Sequence, residues 1–321
     1  MSDEWREIVA REIAGIPFSE LVKAARRISE GYRGFRSGEA PLLQSDADRA
    51  AYLAVRMPAT FAAISAALRR LSECARDLQP ATLLDLGAGP GTASLAALGA
   101  FPSLVNVTLV ERDVRLGDMA RRLLPGAHVM TADLNSVELP AADLVVCAYA
   151  LNELTAQQQE DIVHRAMDSA QQAVVVVEPG SVAGFGNVLR ARQSVIDSRQ
   201  FEIAAPCPGH MPCPLAVKND WCHFAARTER SSLHRRLKSG ELPYEDEKFS
   251  YVAAARRGVE RASARIVGRP EKLSGHVKLT LCTRVGLELA TLTKKDRENY
   301  KSARKSEWGD AWDGGLSAET G

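Results

Sequence analysis

Three cysteines, Cys207, Cys213 and Cys222, stand close together in Pro206-Cys-Pro-Gly-His-Met-Pro-Cys-Pro-Leu-Ala-Val-Lys-Asn-Asp-Trp-Cys-His-Phe224. The stretch is too rich in proline and glycine for a regular helix or strand. Cysteines that only pack are usually scattered singly among apolar neighbours. Three in a polar loop argue for a shared metal, because thiolate is the soft ligand of zinc and of iron–sulfur clusters. Such a metal would also supply folding energy that the loop cannot draw from a hydrophobic core. A fourth ligand is needed: His210 and His223 are local candidates, and Cys282, in Lys278-Leu-Thr-Leu-Cys-Thr283, is a distant one. A Cys3His zinc site would use a histidine, whereas a [4Fe–4S] cubane would take four thiolates. The spacing Cys-x5-Cys-x8-Cys lacks the paired C-x2-C of ordinary zinc modules, and residue chemistry alone leaves both metals open.

A second constellation is built from glycine. The apolar run Thr82 to Leu86 ends in Gly87-x-Gly89-x-Gly91, and a helix-capable stretch, Thr92 to Leu98, follows at once. Strand, tight turn and helix in that order bring bare backbone beside a ligand and leave the first N–H groups of the helix free to donate. A second apolar strand, Val105 to Val110, places Glu111 at its carboxyl end, where an acidic residue binds ribose hydroxyls in doubly wound folds. Dinucleotide enzymes use G-x-G-x-x-G; here the spacing is G-x-G-x-G, preceded by Asp85. That form resembles the first motif of class I S-adenosylmethionine (SAM) methyltransferases. The resemblance implies that Glu111 holds the ribose and that Asp133, beside Leu134 after a third short strand, lies near the adenine. The candidate cofactor residues are Asp85, Gly87, Gly89, Gly91, Glu111, Asp133, Leu134 and Tyr149.

The elements that must position these residues alternate strand and helix from 80 to about 180, the pattern of a parallel sheet covered on both faces. Ala142 to Tyr149 reads as a fourth strand and Ala173 to Glu178 as a fifth. Ligands in such sheets bind beyond the carboxyl ends of the strands, where Glu111, Asp133, Tyr149 and Glu178 fall. Residues 1 to 79 read as helices, broken near Pro58, that cover one side of the sheet, with a glycine-punctuated loop at Gly31 to Gly38. The expected fold is therefore α/β, a Rossmann-like class I methyltransferase sheet with a helical N-terminal cap and a metal-stapled C-terminal extension. Its expected divisions are a cap at 1–79, a SAM-binding core at 80–200, a cysteine-rich insertion with a basic helix at 201–240, strands and a basic arm at 241–312, and a disordered tail at 313–321. The strands after Phe249 could complete the antiparallel edge of the sheet or form a small appended barrel.

Charge is segregated along the chain. Residues 227 to 305 carry 20 Lys and Arg against 10 Asp and Glu, a local balance of +10 inside a chain of net +1. Such a segment suits a polyanion. Arg227, Arg230, Arg235, Arg236 and Lys238 fit a basic helix, and Arg297, Lys301, Arg304 and Lys305 an arm on phosphates. No apolar run reaches the roughly 18 residues of a membrane span. The acidic start, Met1-Ser-Asp-Glu-Trp-Arg, does not look like a secretion signal, so a cytoplasmic protein is expected.

Pro212-Cys-Pro-Leu, Asp220-Trp-Cys-His-Phe224, Leu242-Pro-Tyr-Glu-Asp-Glu-Lys-Phe-Ser-Tyr251, Gly275-His-Val and Ala303-Arg-Lys-Ser-Glu-Trp-Gly-Asp310 together resemble the small-ribosomal-subunit-associated methyltransferase-like family of bacteria and mitochondria. The resemblance covers roughly residues 40 to 312. It implies a SAM-type domain, attachment to the small ribosomal subunit and its rRNA during assembly, and a [4Fe–4S] cluster held by Cys207, Cys213, Cys222 and Cys282. It implies neither a DNA nor a membrane partner. Methyl transfer is the family's inferred activity. The stretch after the fourth strand, Tyr149-Ala-Leu-Asn-Glu-Leu154, lacks the Asp/Asn-Pro-Pro-aromatic signature of amine methylation, and no catalytic residue is assigned.

Overall fold

A computed structural model describes residues 4–34, 43–238 and 242–314. Four helices come first: α1 (Glu4–Ala14), α2 (Phe18–Gly34), α3 (Asp46–Val55) and α4 (Met57–Cys74). Ser45 and Asp48 form a reciprocal capping box that starts α3, satisfying donors that the first turn would otherwise leave bare. Arg56 interrupts the register, and α4 restarts with Pro58 in its first turn, where a missing N–H costs nothing. The expected loop at 31–38 is corrected in part: α2 runs on through Gly34, so its two glycines fall at the helix end, where glycine commonly terminates a helix. Residues 35–42, with Arg36, lie outside the described residues, as does the tail beyond Gly314.

The alternating region gives β1 (Thr82–Leu86), α5 (Thr92–Ala100), β2 (Asn106–Glu111), α6 (Val114–Leu123), β3 (His128–Thr131), β4 (Ala142–Ala148), α7 (Ala156–Ser169) and β5 (Ala170–Pro179). After these come α8 (Val182–Ser198), β6 (Glu202–Ala205), α9 (Pro214–Val217), β7 (Phe224–Glu229), α10 (Ser232–Lys238) and β8 (Tyr244–Ala255). These strands make one sheet in the order β3-β2-β1-β4-β5-β8-β6, with β7 also on β8. The strands from β1 to β5 run parallel, and β8 lies antiparallel to β5. Central strands such as Leu144 to Val146 and Val174 to Val177 are buried on both faces, which is why they read as unbroken apolar runs. Helix α4 seals one face with α5, and α7 and α8 seal the other.

Strand β8 organises the second half of the chain. Its Ala253 to Ala255 end pairs with β6, and its Tyr244 to Phe249 end pairs with β7 on the same edge. Residues 206–223, which join β6 to β7, are thereby pinned at both ends halfway along that edge. The remaining strands, β9 (Ala264–Ile266), β10 (Glu271–Lys272), β11 (His276–Thr283), β12 (Leu287–Thr293) and β13 (Ala311–Trp312), form a separate antiparallel sheet closed by α11 (Arg297–Lys305). Of the two alternatives for the late strands, β8 completes the antiparallel edge of the main sheet, while the others make a small open sheet in place of the expected barrel. The fold is α/β, with a Rossmann-like, mainly parallel sheet that carries an antiparallel edge.

Candidate functional site

Two regions carry the candidate residues, and the first is the rim at the carboxyl ends of β1, β2 and β4. Gly87, Gly89 and Gly91 all adopt left-handed backbone, with φ of +68°, +55° and +87°. A Cβ on Gly87 would stand 2.6 Å from Ala150 Cβ, and one on Gly91 would stand 2.7 Å from Leu124 Cδ1. Gly89 differs: nothing lies within 4 Å of the position its Cβ would take, so the turn faces open space there. Glu111 is tied to this turn. Its Oε2 accepts from the Gly89 N–H at 2.7 Å and its Oε1 from the Asp113 N–H at 2.8 Å, while burial pushes its carboxyl above the usual range. Leu134 Cδ1 approaches the Gly87 Cβ position at 3.6 Å. Asp133 caps its own turn by accepting from the Asn135 backbone N–H at 2.8 Å, and it stays exposed.

Asp85 plays a different part from its neighbours. It lies behind the turn, almost wholly buried, and Oδ2 accepts from Ser94 N at 2.9 Å and Ser94 Oγ at 2.7 Å. Burial raises its pKa to about 6, against the Ser94 hydrogen bonds that lower it. It fastens α5 to β1 and so holds the glycine turn in shape. Tyr149, also left-handed with φ of +59°, ends β4 and points its hydroxyl to Glu247 Oε1 at 3.5 Å.

The helical cap reaches this rim, which sequence reasoning missed. Arg56, in the break between α3 and α4, grips Glu247 with both terminal nitrogens at 3.3 and 3.0 Å. One turn earlier on the same face, Tyr52 lies near Arg56 and within electrostatic reach of Glu111, and burial pushes its phenol up. The signal in the sequence was faint, Tyr52 and Arg56 at i and i+4 where the last turn and C-cap of α3 are otherwise apolar. Below the rim, Glu178 is fully buried. Its Oε1 accepts from Leu151 N at 3.0 Å and its Oε2 from Asn187 Nδ2 at 3.2 Å, and burial raises its pKa to about 8. Asn187 Nδ2 also donates to Asn152 Oδ1 at 2.9 Å, so the segment after β4 is held by an inward network.

The second region is a pocket of about 630 Å³, counted to its open mouth, lined by Cys207, Cys213, Cys222 and Cys282 together with Arg192, Tyr251 and Arg265. Cys207 follows β6, Cys213 precedes α9, Cys222 precedes β7, and Cys282 arrives on β11 of the other sheet. Ser250 Oγ donates to the Cys222 carbonyl at 2.7 Å, and Trp221 Nε1 donates to the Gly180 carbonyl at 3.1 Å, which moors the loop to β8 and β5. Burial raises the Cys222 thiol well above its usual range and lifts Cys282 to about 12; neighbouring cysteines push the same way. The two histidine candidates are engaged elsewhere. His210 Nε2 lies 3.2 Å from an Arg261 nitrogen, and His223 packs between Trp221 and Trp308 with ring centroids at 5.3 and 4.9 Å. Among the described residues, no three His, Cys, Asp or Glu side chains are grouped so as to hold a metal ion, so the expected metal staple is not shown.

The basic helix expected after the cysteine loop is corrected. Arg227 belongs to strand β7 and pairs with Asp246, while Arg230 pairs with Glu245, so their charge is largely cancelled. Only the segment carrying Arg235 and Arg236 is helical, as α10. The alternation Phe224-Ala-Ala-Arg-Thr-Glu suits a strand once β8 offers an edge, which no local spacing reveals. Arg297, Lys301, Arg304 and Lys305 do lie exposed on α11, opposite the buried Ala303.

Residues 46–313 match the model of the family described as mitochondrial small ribosomal subunit Rsm22. The chain belongs to the Rsm22 family. The human ribosome assembly protein METTL17, mitochondrial, is 31% identical over 284 residues, covering 81% of this chain and 61% of its own length. The ribosome assembly protein RSM22, mitochondrial, of Saccharomyces cerevisiae is 22% identical over 299 residues, covering 58% of this chain and 48% of its own length. This Rsm22-family chain therefore spans less than two thirds of those relatives. Among solved structures, magnesium protoporphyrin IX methyltransferase from Synechocystis PCC 6803 with bound SAH is similar at a TM-score of 0.42 and 13% identity, covering 72% of this chain and 94% of that one. The expectation of a cytoplasmic protein is overturned by the relatives, which are mitochondrial by name. Composition and the length of apolar runs do not distinguish one compartment from another.

Proposed function

We propose that this Rsm22-family chain is an assembly protein of the small subunit of mitochondrial-type ribosomes, that its Rossmann-like half binds SAM, and that Cys207, Cys213, Cys222 and Cys282 hold a [4Fe–4S] cluster. The observation that carries this reading is the arrival of Cys282, from a separate sheet, in the pocket already lined by the three loop cysteines. Four sulfurs brought together from remote parts of a chain serve packing poorly and a thiolate-ligated centre well. Both histidines are occupied elsewhere, which favours four thiolates over a Cys3His zinc site. A cubane is also wider than one ion, so its ligands stand further apart than zinc ligands, in keeping with sulfurs that share a pocket without closing on a single metal position. When bound, the cluster would cross-link the main sheet to the C-terminal one.

The rim suits SAM on its own chemistry. The open face of Gly89 would admit the cofactor, Glu111 would accept from the ribose hydroxyls, and Leu134 and Tyr149 would flank the site. The cofactor would supply an electrophilic methyl group. The exposed cations of α11 would contact rRNA phosphates, so Lys301→Ala with Arg304→Ala should weaken binding to small-subunit rRNA and flatten its salt dependence. Incubating the protein with methyl-labelled SAM and small-subunit particles from a deletion strain tests the enzymatic form, and label entering rRNA only with the wild-type protein supports it.

A second reading, a non-catalytic assembly factor, draws on the Asn152–Asn187–Glu178 network. Where amine methyltransferases carry a substrate-facing polar residue after the fourth strand, this chain turns Asn152 inward. Tight SAM binding with no label in rRNA would favour that reading.

A further inference from the structure

Arg192 and Arg265 line the cysteine pocket and are only 5% and 2% exposed. Arg192, on α8, donates from Nε to Cys207 Sγ at 3.3 Å, and from one terminal nitrogen to the Gly209 and Met211 carbonyls at 3.1 and 2.7 Å. Arg265, on β9, donates to the Pro206 carbonyl at 3.0 Å, to the Gly309 carbonyl at 3.2 Å and to Cys74 Sγ at 3.9 Å. It also stands in register opposite Cys282 on β11. Among the described residues, neither guanidinium forms an ion pair with a carboxylate. Carbonyl oxygens satisfy N–H donors but carry no net charge, and two buried cations without an anion would be costly. Neutral thiols would not relieve that cost. Four thiolates around a core of two positive charges carry two negative charges overall, and two guanidinium groups match them.

We infer that Arg192 and Arg265 are the counter-charges of the four-cysteine centre, positioning residues that neutralise its thiolates and, through the Arg192–Cys207 hydrogen bond, set the reduction potential of the cluster. This inference rests on the cluster reading given above. Arg192 has a double task, because the same guanidinium that faces sulfur also holds the backbone at Gly209 and Met211, shaping the loop between the first two ligands. Arg265 joins the loop to the second sheet at Pro206 and Gly309, and so fixes the distance over which Cys282 must reach. Charge and hydrogen bonding near sulfur are established controls of cluster potential: a nearby cation favours the reduced, more negative state.

The test compares wild type, Arg192→Gln, Arg192→Lys and Arg265→Gln as full chains purified and reconstituted without oxygen. Iron and sulfide content are measured together with the midpoint potential, followed by electron paramagnetic resonance. Arg192→Gln is expected to retain less cluster and to shift the midpoint to more negative values. Arg192→Lys, which keeps the charge but loses the directed bond to sulfur, is expected to shift it less. Arg265→Gln should move it in the same direction. If Arg192→Gln fails to fold, the Lys variant and Arg265→Gln carry the measurement. Loaded variants with wild-type content and an unmoved midpoint would overturn the inference while leaving the cluster in place. A reconstituted wild type without iron and sulfide would instead defeat the cluster reading.

Discussion

The rim and the pocket both border the main sheet but are built in opposite ways. At the rim, eleven contiguous residues, from Ala81 to Gly91, supply strand and glycine turn, and most of the site is main chain, with the Glu111 side chain of β2 tied to it. At the pocket, the groups are side chains delivered from β11, from α8, from β9 and from one irregular loop, and no short segment contains them. The contrast teaches that a backbone-made site tolerates loss of a side chain and fails on gain of one. A side-chain-made site fails on loss of any ligand and depends on long-range packing for its shape.

The largest effect expected from that contrast is at the pocket. Cys222→Ser should abolish stable metal loading and expose residues 206–223 to proteolysis, while SAM binding measured by calorimetry changes little. Loss of SAM affinity in parallel would show that the two regions are one unit. Next is the cap. Glu247→Ala removes the two charge-assisted hydrogen bonds that Arg56, whose side chain is only 16% exposed, makes to this carboxylate, and should cost about 3 kcal/mol in denaturant unfolding. Because Arg56 and Tyr149 meet at Glu247, the same substitution should weaken SAM binding, whereas a pure stability loss would confine Arg56 to a structural task.

The glycines offer a sharper test within the rim. Gly91→Ala combines left-handed backbone with a 2.7 Å clash against Leu124 and should cost about 2–3 kcal/mol. Gly89→Ala meets no atom within 4 Å and should cost only about 1 kcal/mol. Yet it should impair SAM binding at least as much, because the methyl enters the open face. Equal binding by Gly89→Ala and wild type would argue that the cofactor lies elsewhere.

A separate effect is a pH dependence from Glu178, whose pKa burial raises to about 8 from the usual carboxyl value of 4.5. In that window the unfolded chain releases a proton that the folded chain retains. Stability from this group is therefore fully present below the unfolded pKa and declines as pH rises towards 8, by at most about 1.4 kcal/mol per pH unit. Unfolding curves of Glu178→Gln should be flatter over that range, and an unchanged slope would remove Glu178 from this account.

How much of this was legible follows from where each signal resides. The order of strands and helices from Thr82 to Pro179 could be read from periodicity, because buried parallel strands and amphipathic helices write their environment into consecutive residues. Arg227 could not be placed on a strand, because the edge that makes it one belongs to β8, and its partner Asp246 is a cross-strand neighbour. Tyr52 and Arg56 were passed over for the same reason: nothing in α3 reports that Glu247 and Tyr149 stand opposite. Compartment was misjudged, since overall composition and the length of apolar runs do not specify one.

The amino-acid sequence by itself determined the glycine turn and the alternation of elements, because both depend on local backbone freedom and on side-chain period. Only tertiary structure decided that Cys282 shares a pocket with Cys207, Cys213 and Cys222 while His210 and His223 face elsewhere, and that Arg192 and Arg265 are buried beside them without carboxylates. Those outcomes come from β8 pairing with both β6 and β7 and from a second sheet docking beside the loop. Such contacts join residues far apart along the chain, and their energies are set by what packs against them rather than by their neighbours in sequence.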